Sequence, residues 1–301
     1  MEIGWHLSAP SGAFSMPDPQ IAVLQFNPVH GAVSENRARS VALLAKAAAA
    51  GANIAVLPEC AITGYVFDSV GQLMPLAETL QGKTVAAWSD AARTHNLWVI
   101  GGLIEEHEDV LYNAAVVISP DGACRRYRKL HLWNFERDLY DPGGSMLLVD
   151  TPWGKVGLAI CYDLWFPELM RAMALAGATL VVLPTNWAGN PRHRDPFDAH
   201  GLPMGCHMAI AAACANEITI AVADRTGAEG DLSFLGSSCI VGPDGRFRAG
   251  PASRDEDAIL LAPWVDPAAT RSVGQSHLAS RRSDIYNVSV LPGSSAPRED
   301  I

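Results

Sequence analysis

Gly51-Ala-Asn-Ile-Ala-Val-Leu-Pro58 returns later in the chain as Gly177-Ala-Thr-Leu-Val-Val-Leu-Pro184, and each copy follows an alanine-rich stretch of helical character, residues 38–50 and 167–176. In both, a glycine able to take the left-handed conformation stops a helix and releases a short apolar strand that a proline ends. A second pair keeps the same order. Ile118-Ser-Pro-Asp-Gly122 and Val241-Gly-Pro-Asp-Gly245 each set a turn between two strand-like runs, at nearly the same distance from the first glycine. This ordered repeat of helix, buried strand and hairpin predicts two similar α/β halves.

Working outward, residues 21–26 read as a further buried strand, Asn27-Pro28 as a turn, and Ser34 as the N-cap of a helix whose Ala38, Val41, Ala45 and Ala48 share one face. Each half then supplies a mixed sheet with helices on one face and an apolar surface on the other. Packing sheet against sheet buries both apolar faces, which predicts an α/β fold in four layers, an αββα sandwich of two pseudo-repeated halves. A doubly wound parallel sheet is the competing architecture, but the two Pro-Asp-Gly hairpins require antiparallel pairs. The expected organisation is an N-terminal tail over residues 1–19, one domain over 20–265, and a C-terminal extension over 266–301 that is interface-docked or partly disordered.

Composition limits the function classes. The chain has 301 residues, 49% hydrophobic and 18% charged, and its 22 Lys and Arg against 32 Asp and Glu give a formal charge of −10. That is globular material of the wrong sign for nucleic acid. The first residues lack a basic segment followed by an apolar stretch, and no apolar run approaches the roughly 18 residues of a membrane span. Six scattered cysteines without a CxxC pair read as free thiols. The expectation is a cytoplasmic protein without membrane or nucleic-acid partners.

Familiar phosphate, dinucleotide and serine-hydrolase motifs are missing. His193, Asp195, Asp198 and His200 match no ligand spacing and read as a solvated loop, so no metal or other cofactor is expected. Three residues stand instead at strand ends, where α/β sheets place reacting groups: Glu59 after Val56-Leu57-Pro58, Lys129 after residues 123–128, and Cys161 after Val156-Gly-Leu-Ala-Ile160. Singly, they read as a capping acid, a surface charge and a small buried hydrophobe. Together they have a chemical purpose: a thiolate attacks a carbonyl or nitrile carbon, a carboxylate carries the proton, and an ammonium stabilises the oxyanion.

Leu57-Pro58-Glu59 with Thr63-Gly64-Tyr65, Tyr127-Arg-Lys129-Leu-His-Leu, Glu136 followed by Tyr140-Asp-Pro-Gly143, and Cys161-Tyr-Asp163-Leu-Trp-Phe-Pro-Glu168 stand in the order found in the nitrilase (carbon–nitrogen hydrolase) superfamily, which the chain resembles from about Ile21 to Leu261. The resemblance implies the αββα fold reached above and a homodimer or larger homo-oligomer. It also implies Cys161 as nucleophile, Glu59 as base and then acid, and Lys129 with the Tyr162 backbone N–H as oxyanion partners. Glu136 matches a second glutamate that positions substrate or water. Ala215-Asn216-Glu217 and Asp224-Arg225 depart from the family's usual Ala-x-Glu-Asn and Asn-Arg, which puts scaffold or dimer contacts in question rather than chemistry.

The residues after Cys161 resemble the amidase and carbamoylase side of the superfamily. Carbamoylases that hold a carboxylate tend to have arginines where Leu164 and Trp165 stand here, so the expected substrate is a small uncharged amide, apolar or aromatic, hydrolysed with water to acid and ammonia through a Cys161 thioester. Tyr65, Trp133, Trp165, Asn186 and Trp187, each next to one of these motifs, are the substrate-binding candidates. Nitrile hydrolysis, N-carbamoyl hydrolysis and a catalytically silent binding protein are the alternatives.

Overall fold

The computed structural model describes residues 18–189, 195–270 and 276–288. Its first half runs β1 (Gln20–Gln25), α1 (Val33–Ala49), β2 (Ile54–Val56), the short α2 (Val70–Leu73), α3 (Lys83–His95), β3 (Trp98–His107), β4 (Val110–Ile118) and β5 (Cys124–Arg128). The second runs β6 (Leu147–Thr151), β7 (Gly154–Leu158), α4 (Pro167–Leu175), β8 (Ala178–Pro184), β9 (Ala188–Gly189), α5 (Met204–Asn216), β10 (Thr219–Ala223), β11 (Ala228–Glu229), β12 (Leu232–Phe234), β13 (Cys239–Val241), β14 (Phe247–Ala249) and β15 (Ala258–Pro263).

Two six-stranded sheets form among the described residues, in the orders β15-β1-β2-β3-β4-β5 and β6-β7-β8-β10-β13-β14. Their pairings correspond strand for strand. The β1-β2-β3 and β7-β8-β10 trios are parallel, and every flanking pair is antiparallel. The repeated Gly-to-Pro stretches therefore become β2 and β8, the middle strands of their trios, and the Pro-Asp-Gly turns join β4 to β5 and β13 to β14. Gly51 and Gly177 take φ of +94° and +98°, the stop that both helices share.

Alternation along the strands sets the layers. In the first sheet Ile21, Val23, Ile54, Val56, Ile100, Ala115 and Val117 join the core shared with the second sheet. Their neighbours Ala22, Leu24, Ala55, Leu57, Val99, Val116 and Ile118 pack with Leu44 and Ala47 of α1 and with Val85, Trp88 and Ala92 of α3. The second sheet packs with α4 and α5 through Met170, Met173, Ala209 and Ala213. The order is helix, sheet, sheet, helix, with β1 and β2 resting across β10 and β8. Trp88 fastens the outer layer, its indole N–H donating to Ser40 Oγ at 2.8 Å.

Ser34 does not cap α1, whose N-cap is Ala32 without a side-chain bond. Buried Asn36 fixes that entrance instead, bonding the Val29 N–H at 2.8 Å and donating to the carbonyls of Val29 and Ile62. No helix among the described residues is long and apolar enough to cross a membrane.

Candidate active site

Glu59 and Lys129 follow strands of the first sheet, and Cys161 follows a strand of the second. After β2 the chain continues alongside β3, Leu57 N–H bonding the Ile100 carbonyl and Gly102 N–H the Pro58 carbonyl. Gly102 is required there, because a Cβ on it would lie 2.6 Å from Glu59 Cα. Lys129 follows β5 and is tied to β4 by its N–H to the Asn113 carbonyl at 2.8 Å. Cys161 follows β7 across the sandwich with φ of +45°, a left-handed conformation that costs a non-glycine residue about 1–3 kcal/mol.

Asp163 holds that strained turn. One of its carboxylate oxygens accepts from Ile160 N–H at 2.9 Å and Tyr127 OH at 2.7 Å, and the other from His131 N–H at 3.0 Å and His131 Nδ1 at 2.7 Å. A loss of these four bonds would free Cys161 from a conformation it does not prefer.

The charged groups converge in full burial. Lys129 Nζ donates to Glu59 Oε1 at 2.8 Å and to Glu136 Oε1 at 2.7 Å, all three side chains being 0% exposed. Asn113 Nδ2 donates to the same two oxygens at 2.7 and 3.0 Å. Tyr65 OH adds 2.9 Å to Glu136 Oε1, and Trp133 N–H adds 2.7 Å to Glu136 Oε2. Glu136 is thus saturated, whereas Glu59 Oε2 is buried without a partner.

Burial raises Glu59 above the ordinary carboxylate range, with Lys129 pulling it down and Glu136 pushing it up. Burial alone would lower Lys129, but Glu136, Glu59 and Cys161 hold its ammonium well above the usual lysine value. The Cys161 thiol is pushed well up by burial and then by Glu59, against the opposing pull of Lys129, the Thr185 side chain and the Asn186 backbone. Desolvation thus outweighs the neighbouring cation and favours the neutral thiol. Such a sulfur needs a base at the moment of attack.

Cys161 opens into a cavity of about 750 Å³ lined by Tyr65, Trp133, Tyr162, Trp165, Asn186 and Trp187, together with Phe197, Leu202 and Leu235. All the residues named from sequence as pocket candidates are on this wall. Tyr65 contributes its ring, since its hydroxyl is spent on Glu136. The Asn186 amide atoms and Trp187 Nε1 are buried without protein partners. Asp195 and Asp198 line the same cavity, Asp198 paired with His207 at 2.8 Å. His193 lies outside the described residues, and no group of three or more candidate metal ligands occurs among those described.

Asn113 and Asp163 carry much of this geometry, and sequence reasoning assigned neither a role. Asn113 had a signal: a lone amide inside the apolar run Leu111-Tyr-Asn-Ala-Ala-Val-Val-Ile118.

Asp224, one of the departures, is fully buried behind the cavity wall, where its Oδ1 accepts from Trp187 N–H at 3.1 Å and Arg225 N–H at 2.8 Å while Oδ2 has no partner. Burial holds its pKa well above 3.8. The stability tied to its protonated form is complete below the unfolded-state value and is lost as pH rises through the folded one. Asp224→Asn keeps the acceptor and removes the ionisation, so it should stabilise the protein by about 1 kcal/mol at pH 7 with the gain vanishing in acid. Urea melts at acidic and neutral pH test this; equal stabilities at neutral pH would contradict it.

The carbon–nitrogen hydrolase family pattern matches residues 20–275. An (R)-stereoselective amidase of Pseudomonas sp. is 35% identical over 266 residues, 87% of this chain and 91% of that protein. A nitrilase of Pyrococcus abyssi is 32% identical over 245 residues, covering 81% and 88%. The solved amidase of Nesterenkonia sp. superposes with a TM-score of 0.71 at 25% identity, covering 89% of this chain and 95% of that one. A cysteine-to-alanine variant of it in complex with butyramide gives 0.70 at 25% identity, covering 89% and 96%.

Proposed function

This chain belongs to the carbon–nitrogen hydrolase family, and from that premise we propose that it is a thiol-dependent amidase for small carboxylic amides whose acyl group is uncharged and apolar or aromatic. The observation that carries the reading is a single cavity that exposes the Cys161 thiol to the field of buried Glu59 and Lys129 and surrounds it with aromatic walls.

In the first half-reaction Glu59 Oε2 takes the thiol proton as sulfur bonds to the carbonyl carbon, and the carbonyl π electrons move to oxygen. The oxyanion is met by the Lys129 ammonium and the Tyr162 N–H, which stands in the first turn of a 3₁₀ helix where N–H groups lack intrahelical acceptors. Collapse breaks the C–N bond as Glu59 passes its proton to nitrogen, releasing ammonia and leaving a Cys161 thioester. Water then attacks, Glu59 taking its proton, and collapse releases the acid as the sulfur regains a proton. Glu136, saturated by Lys129, Asn113, Tyr65 and Trp133, holds the lysine in place rather than contacting water.

The cavity wall supports an uncharged acyl group. Its charged lining residues, among those described, are the acids Asp195 and Asp198 beside His207, and neither lysine nor arginine is there to meet a substrate carboxylate. The butyramide held by the Nesterenkonia variant is likewise a neutral amide. Asn186 and Trp187 Nε1 supply unspent polar groups for the scissile amide.

Ammonia release from a panel of aliphatic and aromatic amides, the matching nitriles and N-carbamoyl amino acids is the test. Neutral amides should give acid and ammonia, with at least a tenfold higher kcat/KM than carboxylate-bearing analogues of the same size, the effect of about 1.4 kcal/mol of discrimination. Ammonia from nitriles alone would replace the amidase reading with nitrile hydrolysis, and a silent panel would reject it.

A further inference from the structure

Asn113 lies at the centre of the charged cluster without being charged. Its Nδ2 reaches Glu59 Oε1 and Glu136 Oε1, the two oxygens that Lys129 also bridges. Its Oδ1 faces away from them, toward the buried Cys60 thiol, with Sγ 3.9 Å distant. The thiol donates there, which fixes the amide: a flip would aim a carbonyl oxygen at two carboxylates and its NH₂ at a sulfur. The result is an asymmetric Glu59, with Oε1 held by two donors and Oε2 left free.

The charge balance adds a reason for an amide at this place. Two fully buried carboxyl groups share one ammonium in a poorly solvated site. A donor that cannot titrate favours the ionised carboxylates without adding a proton. Glu59 faces Lys129 and Glu136 from the first half of the chain, Cys161 and Asp224 from the second, and the nearby Cys60, Tyr65 and Tyr140. Burial pushes the thiols, the phenols and Asp224 toward their neutral forms, which leaves Lys129 and Glu136 as the charges that act on it.

We propose that Asn113, locked in orientation by Cys60, is a positioning residue that turns Glu59 Oε2 toward Cys161 and favours the ionised form of Glu59. It rests on the roles given above to Glu59 and Cys161. The sign is definite. Removing the amide donor makes Glu59 harder to ionise, so the acid limb of Cys161 reactivity moves to higher pH.

The test follows alkylation of Cys161 by iodoacetamide across pH, read on its own peptide by mass spectrometry, together with kcat and KM for ammonia release. Asn113→Ala should shift the acid limb upward and lower both alkylation and kcat at neutral pH by roughly 10- to 100-fold, with KM within about twofold. Cys60→Ala should shift the limb the same way by less, and Cys60→Ser, which keeps a donor for Oδ1, should restore the wild-type profile. The Cys60 pair decides the matter if Asn113→Ala does not fold. Superimposable pH profiles in the variants would overturn the proposal, whatever their stability, as would a wild type without an acid limb. A shifted limb in an enzyme that releases no ammonia would retain the positioning role and discard the amidase reading; ammonia release with an unmoved limb would do the reverse.

Discussion

Cys161→Ala is expected to lose amide hydrolysis by on the order of 10⁴-fold or more while the protein stays folded. The size follows from what the site lacks without sulfur: Glu59 and Lys129 remain, but no covalent intermediate can form, and Glu59 alone would have to activate water against an unstrained amide. The fold should tolerate the change, because alanine also tolerates the left-handed turn poorly but no worse than cysteine, and the Asp163 bonds that hold the turn do not involve the sulfur. Intact mass after incubation with an amide should show an acyl adduct on the wild type and none on the variant. Residual turnover in Cys161→Ala close to wild type would remove the thioester from the mechanism.

The raised thiol pKa gives this prediction a further edge. A permanently ionised cysteine would react with alkylating agents independently of Glu59, whereas a buried neutral thiol depends on proton transfer to a partner. In the proposed mechanism Glu59 has one oxygen to offer for that transfer, Oε2, which is buried without a hydrogen bond. The chemistry is thus tied to an orientation, which makes the surroundings of Glu59 as consequential as its presence.

Those surroundings explain what could be read from sequence. The layers followed from local signals: the repeated stretches ending at Pro58 and Pro184 and the two Pro-Asp-Gly turns are contiguous, and they occupy equivalent places in the two sheets. The return of β15 to the edge beside β1 is not local. It takes in the first sheet the place that β6 takes in the second, so the repeat is offset around the chain and no single stretch records it.

Glu59 and Cys161 were visible because a short apolar run precedes each, and Lys129 because it closes the strand that follows a Pro-Asp-Gly turn. Their supports were not. Asn113 meets Glu59 across 54 positions of sequence and Asp163 meets Tyr127 across 36, so each reads alone as an ordinary polar residue. Glu229 shows the same limit: it accepts the Tyr65 and Val66 N–H groups at 2.8 Å and pairs with buried Arg225, which ties the loop after Glu59 to the far end of the chain. Tyr65, a substrate-binding candidate from its place beside a motif, lines the cavity with its hydroxyl bonded to Glu136.

Lys129→Met tests the cluster through stability as well as activity. Methionine keeps much of the length and apolar volume of lysine but leaves Glu59 and Glu136 buried together without their shared cation, and breaking a buried ion pair from one side costs about 3–5 kcal/mol. In the wild type the Lys129 ammonium is held well above its ordinary value, so its contribution is present throughout the neutral range and is lost only as pH rises through that elevated value. In the variant Glu59 has lost the ammonium that pulls its raised pKa down, so that pKa rises further. A carboxyl group with a raised folded-state pKa is least costly below its unfolded value and becomes costlier as pH increases. The stability deficit of Lys129→Met should therefore be small near pH 4 and full near pH 8, when urea unfolding is compared with wild type at both. Amide turnover should be lost at either pH, since the oxyanion has no ammonium to meet it. A deficit that is the same at both pH values would mean that packing rather than charge accounts for it, and a deficit below about 1 kcal/mol at pH 8 would show that Glu59 and Glu136 do not depend on Lys129 for their burial.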